Sequence, residues 1–557
     1  MLVAKGYRPV DRDQQFLIPP DMRDWLGTDH PVWTVIDIID RIDTTAFHKA
    51  ARTGGAGRAG YHPDMLLTLL VWAWSRGERS SRRIERLCAE DVAYRVICAQ
   101  DIPDHVTIAR FRKTHAAACE DLFTQVLLLA AALGLGRLET IALDSVKIAS
   151  NAGTGANRTE SAVRAEAAEA ARAIAAAVAA HAATDTSEDD EHGRGGPGAG
   201  SVPPPLADPR SLAARIDEAI AVLDSARAAE QKARAEKDTS ARVYLEQARG
   251  GRIPMGSPPA GAALAAAELA LAKTLAAHAA KADRYEQRRA EAAAKGHQCG
   301  GWVIRPAEQD PKVIKARRRL ERVIAAEKGA AARADDSTED RPERVVNTTD
   351  PQSGLQPLRG GGWVQGFNCQ AVTSGDGLIL AVSVAANPTD APTFVPMMQA
   401  AVAAADLITT ARTGTGTGTG DGAGGGDRIG VLLADAGYFS EANITAPGPD
   451  RLIARGKARH LEHAARDTPV SGPAPVEASA VEAMEHRLRT EEGITTYRKR
   501  SHIAETPFGH AKHNLNFRRF TGRGLARARG EWSFHAAVHN IGKILTLVGG
   551  GRLPATA

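Results

Sequence analysis

Three acids stand where a carboxylate needs a reason. Asp144 lies inside "ETIALDSVKIASNA" (139–152), where Ile141, Ala142, Leu143, Val146 and Ile148 read as a buried strand. Asp435 ends the apolar run "RIGVLLAD", two residues before the breaker Gly437. Glu505 is the single acid among Arg498, Lys499, Arg500, Lys512, Arg518 and Arg519 in "YRKRSHIAETPFGHAKHNLNFRRF" (497–520). An unpaired carboxylate in a buried strand is costly, so Asp144 requires a partner, a metal or a strand end. If the two aspartate strands are neighbours in one sheet, their charges repel unless a cation intervenes. Magnesium and manganese accept such hard oxygen ligands. Two of these ions about 4 Å apart stabilise both oxygens of an in-line displacement at phosphorus. Glu505 completes the set. Taken alone it better suits a surface acid complementing a helix dipole, with Pro507 placing a helix start nearby. Arg498, Glu505 and Lys512 recur every seven residues, which puts them on one face of a continuous helix. Ion pairing explains that face, but not a basic run that continues through Arg529.

The elements that must position these acids follow from periodicity. Residues 1–135 read as helical, with Asp104 or Thr107 as a cap and Gly134 as a stop. Two short basic patches, Ser80–Arg86 and Arg110–Lys113, read as solvated helix faces or, together, as DNA contacts, with Arg110 and Arg112 as candidates. Residues 158–345 are Ala-rich with interleaved charge and predict long helices in an antiparallel hairpin or coiled coil. Within them "SEDDEHGRGGPGAGSVPPP" (187–205) has the composition of a disordered linker. The strand pattern resumes in "GWVQGFNCQAVTSGDGLILAVSVAAN", two strands joined at Ser374–Gly377. A helix capped by Asp390 follows, then a low-complexity loop (413–426), the Asp435 strand, a helix capped by Ser440 and a short strand "RLIARGKA". Residues 464–486 read as loop, and the basic strip and 531–548 as closing helices. The first three strands form an antiparallel meander that later strands join through helical crossovers, giving a mixed α/β sheet with helices on both faces.

The bulk numbers bound the rest. A chain of 557 residues divides into two or three domains. Its net charge of +4 is too small for a global polycation, so an anion-binding surface must be local. No apolar run reads as long enough to span a bilayer, and the start "MLVAKGYRPVDRDQQ" lacks the apolar core of a signal peptide. The five scattered cysteines fit a reduced cytoplasm.

At these residues the chain resembles a family, the DDE transposases of bacterial insertion sequences. The likeness is to the group with a Tyr-Arg-Glu-Lys signature around the third acid, and within it to the eleven-eighty-two-like branch. It is carried by "LDSVKIASNA", "NTTDPQSG" (347–354), "GWVQGFNCQA", "NPTDAPTFVPMM" (387–398), "LADAGYFSEANI" and the 497–520 strip, with "VTIARFR" (106–112) matching the family's N-terminal helical domain. The resemblance implies a ribonuclease H-like mixed sheet flanked by helices. On this view residues 1–135 are an all-α domain that binds DNA ends, and 136–157 are the first core strand. Residues 158–345 are a coiled-coil-like insertion, and 346–557 are the rest of the catalytic domain with its basic C-terminal helices. Asp144, Asp435 and Glu505 are then the catalytic acids and the ligands of two Mg2+ (or Mn2+). Tyr497, Arg500 and Lys512 hold the other signature positions, and Arg498, Arg518 and Arg519 add DNA contacts. The family pattern places three residues between its Arg and Glu. Here four lie between Arg500 and Glu505, which leaves Arg498 as the other candidate. The implied activity is metal-dependent cleavage at the terminal inverted repeats of the chain's own element and strand transfer into target DNA. A homodimer would act in the bacterial cytoplasm, at the nucleoid, with no membrane partner. The rival readings are a nuclease of the same fold without strand transfer and a DNA-binding protein with a decayed core.

Overall fold

A computed structural model describes residues 21–49, 60–192, 212–250, 258–259, 261–297, 303–336, 343–358, 360–414 and 428–553. The N-terminal segment 1–15, most of the 187–205 linker, nearly all of the 413–426 loop and Cys299 lie outside the described residues. The chain divides into two compact units, one made of residues 1–157 and 347–557, the other of 158–346.

The first unit begins with helices α1 (Pro31–Arg41), α2 (Thr45–His48), α3 (Pro63–Ser75), α4 (Ser81–Glu90), α5 (Val92–Ile97), α6 (His105–Thr114) and α7 (Ala118–Ala132). Proline at its first position starts α3, and Leu66 through Trp74 are buried all round it, as expected of a central helix. Asp104 caps α6 by accepting from Thr107 N at 2.8 Å, and α7 stops at Gly134, whose φ of 86° favours glycine. These helices do not build a core of their own. One hydrophobic cluster runs from Val32 on α1 through the sheet to Ile544 and Leu553, so residue 135 is not a boundary between compact units. Arg79 joins the two ends of the chain. Its guanidinium lies 4.5 Å from the Trp74 ring and 3.9 Å from the Phe517 ring, and it pairs with buried Glu531 at 3.2 Å.

The sheet is mixed. Strand β1 (Thr140–Ala149) is followed by the short β2 (Asn157–Thr159). After the second unit the chain returns through β3 (Val345–Asn347), β4 (Gly354–Pro357), β5 (Trp363–Thr373) and β6 (Ile379–Ala385). β1, β5 and β6 form the expected antiparallel meander, with β4 sharing an edge of β5 with β6. β7 (Val431–Ala434) then pairs parallel to β1, and β8 (Asp450–Ile453) parallel to β7.

In the second unit the long helices are α8 (Glu160–His192), α9 (Leu212–Arg249), α10 (Ala263–Ala294) and α11 (Pro311–Asp336), with α8 packed on α9 and α10 on α11. Small cores suffice there: Val163, Ile216, Ala219 and Leu223 in one, Ala241, Tyr244 and Ala248 in another. Residues 187–192, expected in the linker, instead continue α8, because no glycine or proline interrupts it before Gly193. The chain leaves and re-enters the first unit through a fixed neck. Asn347 Nδ2 donates to Asn157 Oδ1 at 2.7 Å and Gly153 O at 2.9 Å, and Thr348 N donates to Ala156 O at 3.0 Å. The same "NTTDPQSG" segment caps the distant helix that starts at Leu525: Gly524 N donates to Asp350 and Leu525 N to Gln352.

The remaining helices flank the sheet: α12 (Phe394–Gly414), α13 (Glu441–Thr445), α14 (Ala458–Asp467), α15 (Ala480–Arg489), α16 (Glu491–Arg500), α17 (Thr506–Gly509) and α18 (Leu525–Val548). Four expectations change here. Residues 464–486 are not all loop, since α14 reaches Asp467 and α15 starts at Ala480 behind a capping box of Ser479 and Glu482. Asp390 makes no side-chain cap, because its carboxylate is engaged by the sheet. The helix start expected near Pro507 is there, since α17 opens at Thr506 right after Glu505, but it is not a free helix end. The backbone runs on from α16 through a π-helical turn (Ser501–Glu505), and that wider turn precedes Pro507, which cannot donate a backbone hydrogen bond. By length and composition alone, Ala263–Ala294 and Ala391–Arg412 are apolar enough to cross a membrane. The first draws its hydropathy from many alanines, and the second includes α12, which packs on α7 and β6.

Cys88, Cys98, Cys119 and Cys369 are free thiols. On α18, burial holds His535 well below the usual imidazole range and pulls His539 down to about 4, although His539 Nε2 bonds Gly377 O. Both are therefore neutral when folded and bind protons more readily when unfolded, near pH 6.5. Their contribution is complete above that pH and is lost as pH falls toward 4, at up to about 1.4 kcal/mol per pH unit for each ring. The denaturation midpoint should drop between pH 7 and pH 5. His539→Gln, which keeps a donor for Gly377, should make that drop shallower, and an unchanged slope would rule out His539 as a source.

Candidate active site

Asp144 and Asp435 become neighbours through strand register. β1 and β7 pair with Leu143 opposite Ala434, and each aspartate is the next residue of its strand line. Alternation puts Asp144 on the face of Ala142, which packs with Leu433, Leu452, Met484, Leu488, Tyr497 and Ile503 beneath α15 and α16. On that face Asp144 is 4 % exposed. Its Oδ1 accepts from Ser145 N at 2.7 Å, and its Oδ2 accepts from Arg500 Nη1 at 3.2 Å. Burial pushes the Asp144 carboxyl up, Arg500 opposes that rise, and Asp435 adds to it. Burial also opposes the Arg500 charge, yet Asp144, Tyr497 and Asp435 outweigh it and leave the guanidinium more firmly protonated than usual.

Arg500 is also the link to Glu505. Its Nη2 lies 3.6 Å from Glu505 Oε1, so one guanidinium bridges the sheet carboxylate and the exposed helix acid. The two are five positions apart, and the intervening turn is π-helical, in which residues five apart stack as residues four apart do in an α-helix. The extra residue between Arg500 and Glu505 is thus absorbed by the turn. Arg500, rather than Arg498, faces the carboxylates; Arg498 is exposed and pairs with Glu462 at 3.6 Å.

Other candidates fall into two groups. Arg518 and Arg519 are exposed on a segment tied to the end of β1, where Phe520 N donates to Ala149 O at 2.8 Å and Ala149 N to Arg518 O at 3.2 Å. Lys512 is half-buried and its carbonyl accepts from Arg518 Nε, while Arg110 is exposed on α6. Three expected surface contacts are instead turned inward. Tyr497 is buried with its hydroxyl directed to Ala434 O at 3.3 Å, and burial pushes its phenol up to about 12, which makes it a poor nucleophile. Arg500 is held by the acids. Arg112 Nη1 donates to Arg79 O at 2.9 Å beneath α6. An aromatic or arginine beside apolar neighbours gains more by packing its flat body than by facing solvent.

One residue at the site is read from the sequence only as a helix cap. Asp390 Oδ1 accepts from Asn368 Nδ2 at 2.7 Å and Gln370 Nε2 at 3.1 Å, and pairs with Lys147 at 3.3 Å. By register these partners lie on the sheet face opposite Asp144. Its Oδ2 approaches Asp435 at Gly437, where an added Cβ would stand 2.9 Å from Asp390 Oδ2 and 3.1 Å from Asp435 Oδ1. The signal for its role in the sheet lies in Asn368 and Gln370, two buried amides spaced by two on β5, which require a partner.

As a donor set, Asp144 and Asp435 offer hard oxygens on adjacent positions with more negative charge than Arg500 neutralises, which fits a divalent cation. Among the described residues no three His, Cys, Asp or Glu side chains converge as a ready metal site, and Glu505 joins the pair only through Arg500.

Two family models match the chain. One, described as "Transposase domain (DUF772)", covers residues 20–114; the other, "Transposase DDE domain", covers 473–545. The second spans Tyr497, Arg500 and Glu505, and neither extends over Asp144 or Asp435. No curated protein and no solved structure matches significantly. The two matches support a DDE transposase.

The geometry separates the two arginines by stability. Arg500→Ala, which leaves Asp144 buried without its cation, should lower unfolding free energy by about 3 kcal/mol. Arg498→Ala should cost under about 1 kcal/mol. Equal losses in equilibrium denaturation would overturn Arg500 as the internal partner.

Proposed function

We propose that the protein is a transposase that cleaves DNA at the ends of its own insertion sequence and joins them to target DNA, on a ribonuclease H-like sheet. The observation that carries this reading is the adjacency of Asp144 and Asp435, each the next residue after the paired stretch of β1 and β7, with Glu505 linked to Asp144 through Arg500. In this reading Asp144, Asp435 and Glu505 would hold two divalent cations, Mg2+ or Mn2+. When bound, such ions supply charge stabilisation to the attacking and leaving oxygens of a phosphoryl transfer.

The side chains do the rest. Arg500 offsets the Asp144 charge and fixes Glu505 beside it. Lys512, Arg498, Arg518 and Arg519 hold backbone phosphates, and their charge, rather than base reading, sets the strand's position. Water displaces the 3′-oxygen from phosphorus at the element's end, and the freed 3′-hydroxyl then displaces a 3′-oxygen from phosphorus in the target strand. Tyr497 takes no covalent part, since its buried phenol stays protonated. Arg110 and the exposed bases of α4 are the N-terminal candidates for binding the terminal inverted repeats. Synapsis of two ends calls for a homodimer, working on bacterial DNA in the cytoplasm without a membrane partner.

The test is cleavage and joining of DNA carrying the flanking inverted repeats, with purified protein and Mg2+. Asp144→Ala, Asp435→Ala and Glu505→Ala should each lose more than about 100-fold in rate, the scale of removing one electrostatic stabiliser of a transition state. Cleavage retained in all three would sink the proposal. Cleavage without end preference or joining would favour a nuclease, and end binding without cleavage a decayed core.

A further inference from the structure

The second unit contains a surface that the catalytic reading leaves unused. Helix α11 is two-sided. Val313 is fully buried, and Ala316, Leu320, Val323 and Ile324 lie half-buried on the same side, where α11 packs on α10. At 100° per residue, Lys315, Arg318, Arg319 and Arg322 fall on the opposite side, at positions i, i+3, i+4 and i+7. All four are exposed. Arg318, Arg319 and Arg322 have no carboxylate partner among the described residues, although acids occur on the helix and pair readily elsewhere in this unit, as Glu160 does with Arg164 and Arg227. An open pocket beside this face is lined by Ile314, Lys315, Arg318, Glu321 and Arg322, with Arg319 outside it.

We propose that this face of α11 is a docking surface for the phosphate backbone of duplex DNA. The proposal rests on the transposase reading for its choice of polyanion. Four bases over eight residues span about 10 Å of helix axis. A duplex presents one phosphate charge per about 1.7 Å of its own axis, so several phosphates lie within reach of the strip. Three of the four bases are arginines, whose forked guanidinium pairs with phosphate through two parallel hydrogen bonds. Ile314 and Ala325 flank the strip and Glu321 is an acid beside it; charge contacts of this kind position a duplex without reading its sequence.

The experiment uses the full chain and the variant K315Q/R318Q/R319Q/R322Q, since glutamine keeps nearly the helix propensity of the residues it replaces. Binding to a generic duplex lacking element ends is measured across a salt series. The variant should bind roughly tenfold or more weakly. Its plot of log affinity against log salt should be shallower by up to about 3.6, at about 0.9 for each phosphate no longer neutralised. Unchanged affinity and slope, with unchanged helicity by circular dichroism, would make the face a solvated one and overturn the proposal. So would weakened binding to anionic vesicles with DNA binding intact. End cleavage at low salt separates the two readings. A variant that cleaves but has lost generic DNA affinity supports the surface. A wild-type chain that binds generic DNA through this face and never cleaves ends removes the transposase reading and leaves the surface standing.

Discussion

A carboxylate buried in the middle of a sheet governs this structure. Asp144 cannot sit at 4 % exposure on β1 without a cation, and the one it finds, Arg500, is brought in from the far end of the chain. That requirement fixes where α16 must lie. Reaching Asp144 lays α16 against the strand face formed by Ala142, Leu433 and Leu452, buries Tyr497 over Ala434, and carries Glu505 past the same point. Apolar burial would hold a helix there in many orientations; the ion pair selects one.

The selection also explains an irregular helix. Between Arg500 and Glu505 the backbone widens by one residue, and it does so just ahead of Pro507, which interrupts the α-helical bonding in any case. Two demands, a carboxylate that must face an arginine and a proline that cannot donate, are met by the same turn. A regular helix would turn Glu505 about 100° away from the side it now shares with Arg500.

Much of this is legible in the chain itself. The apolar runs of β1, β5, β6 and β7 announce strands, and the aspartates within them announce a site, because charge in such runs needs a reason. Strand order is not written in periodicity, so the adjacency of Asp144 and Asp435 is only one arrangement among several until register settles it. The heptad of Arg498, Glu505 and Lys512 misleads because it assumes 3.6 residues per turn throughout, which the π-helical turns at 501–505 and 510–514 violate. Tyr497 and Arg112 look like surface residues by company, yet Tyr497 is buried and Arg112 half-buried by packing. The helix at Ala480 carries a readable capping box, but its few apolar residues conceal it. Asp390 resembles a cap because its tertiary partners, Lys147, Asn368 and Gln370, are distant in sequence.

The neck at Asn157 and Asn347 bears on how the chain is made. On the ribosome β1 emerges early, but both β7 and Arg500 lie beyond the helical unit, whose 158–346 segment takes about 10–40 s to synthesise. Throughout that interval a hydrophobic strand with a buried-type aspartate has no partner on either edge. Helices close through local contacts far faster than sheets assemble. The Ala-rich unit can therefore finish folding first and hold its two ends at one place. When β5 and β7 arrive, the gap between them and β1 has already been reduced from a long loop to the width of a hydrogen-bonded pair.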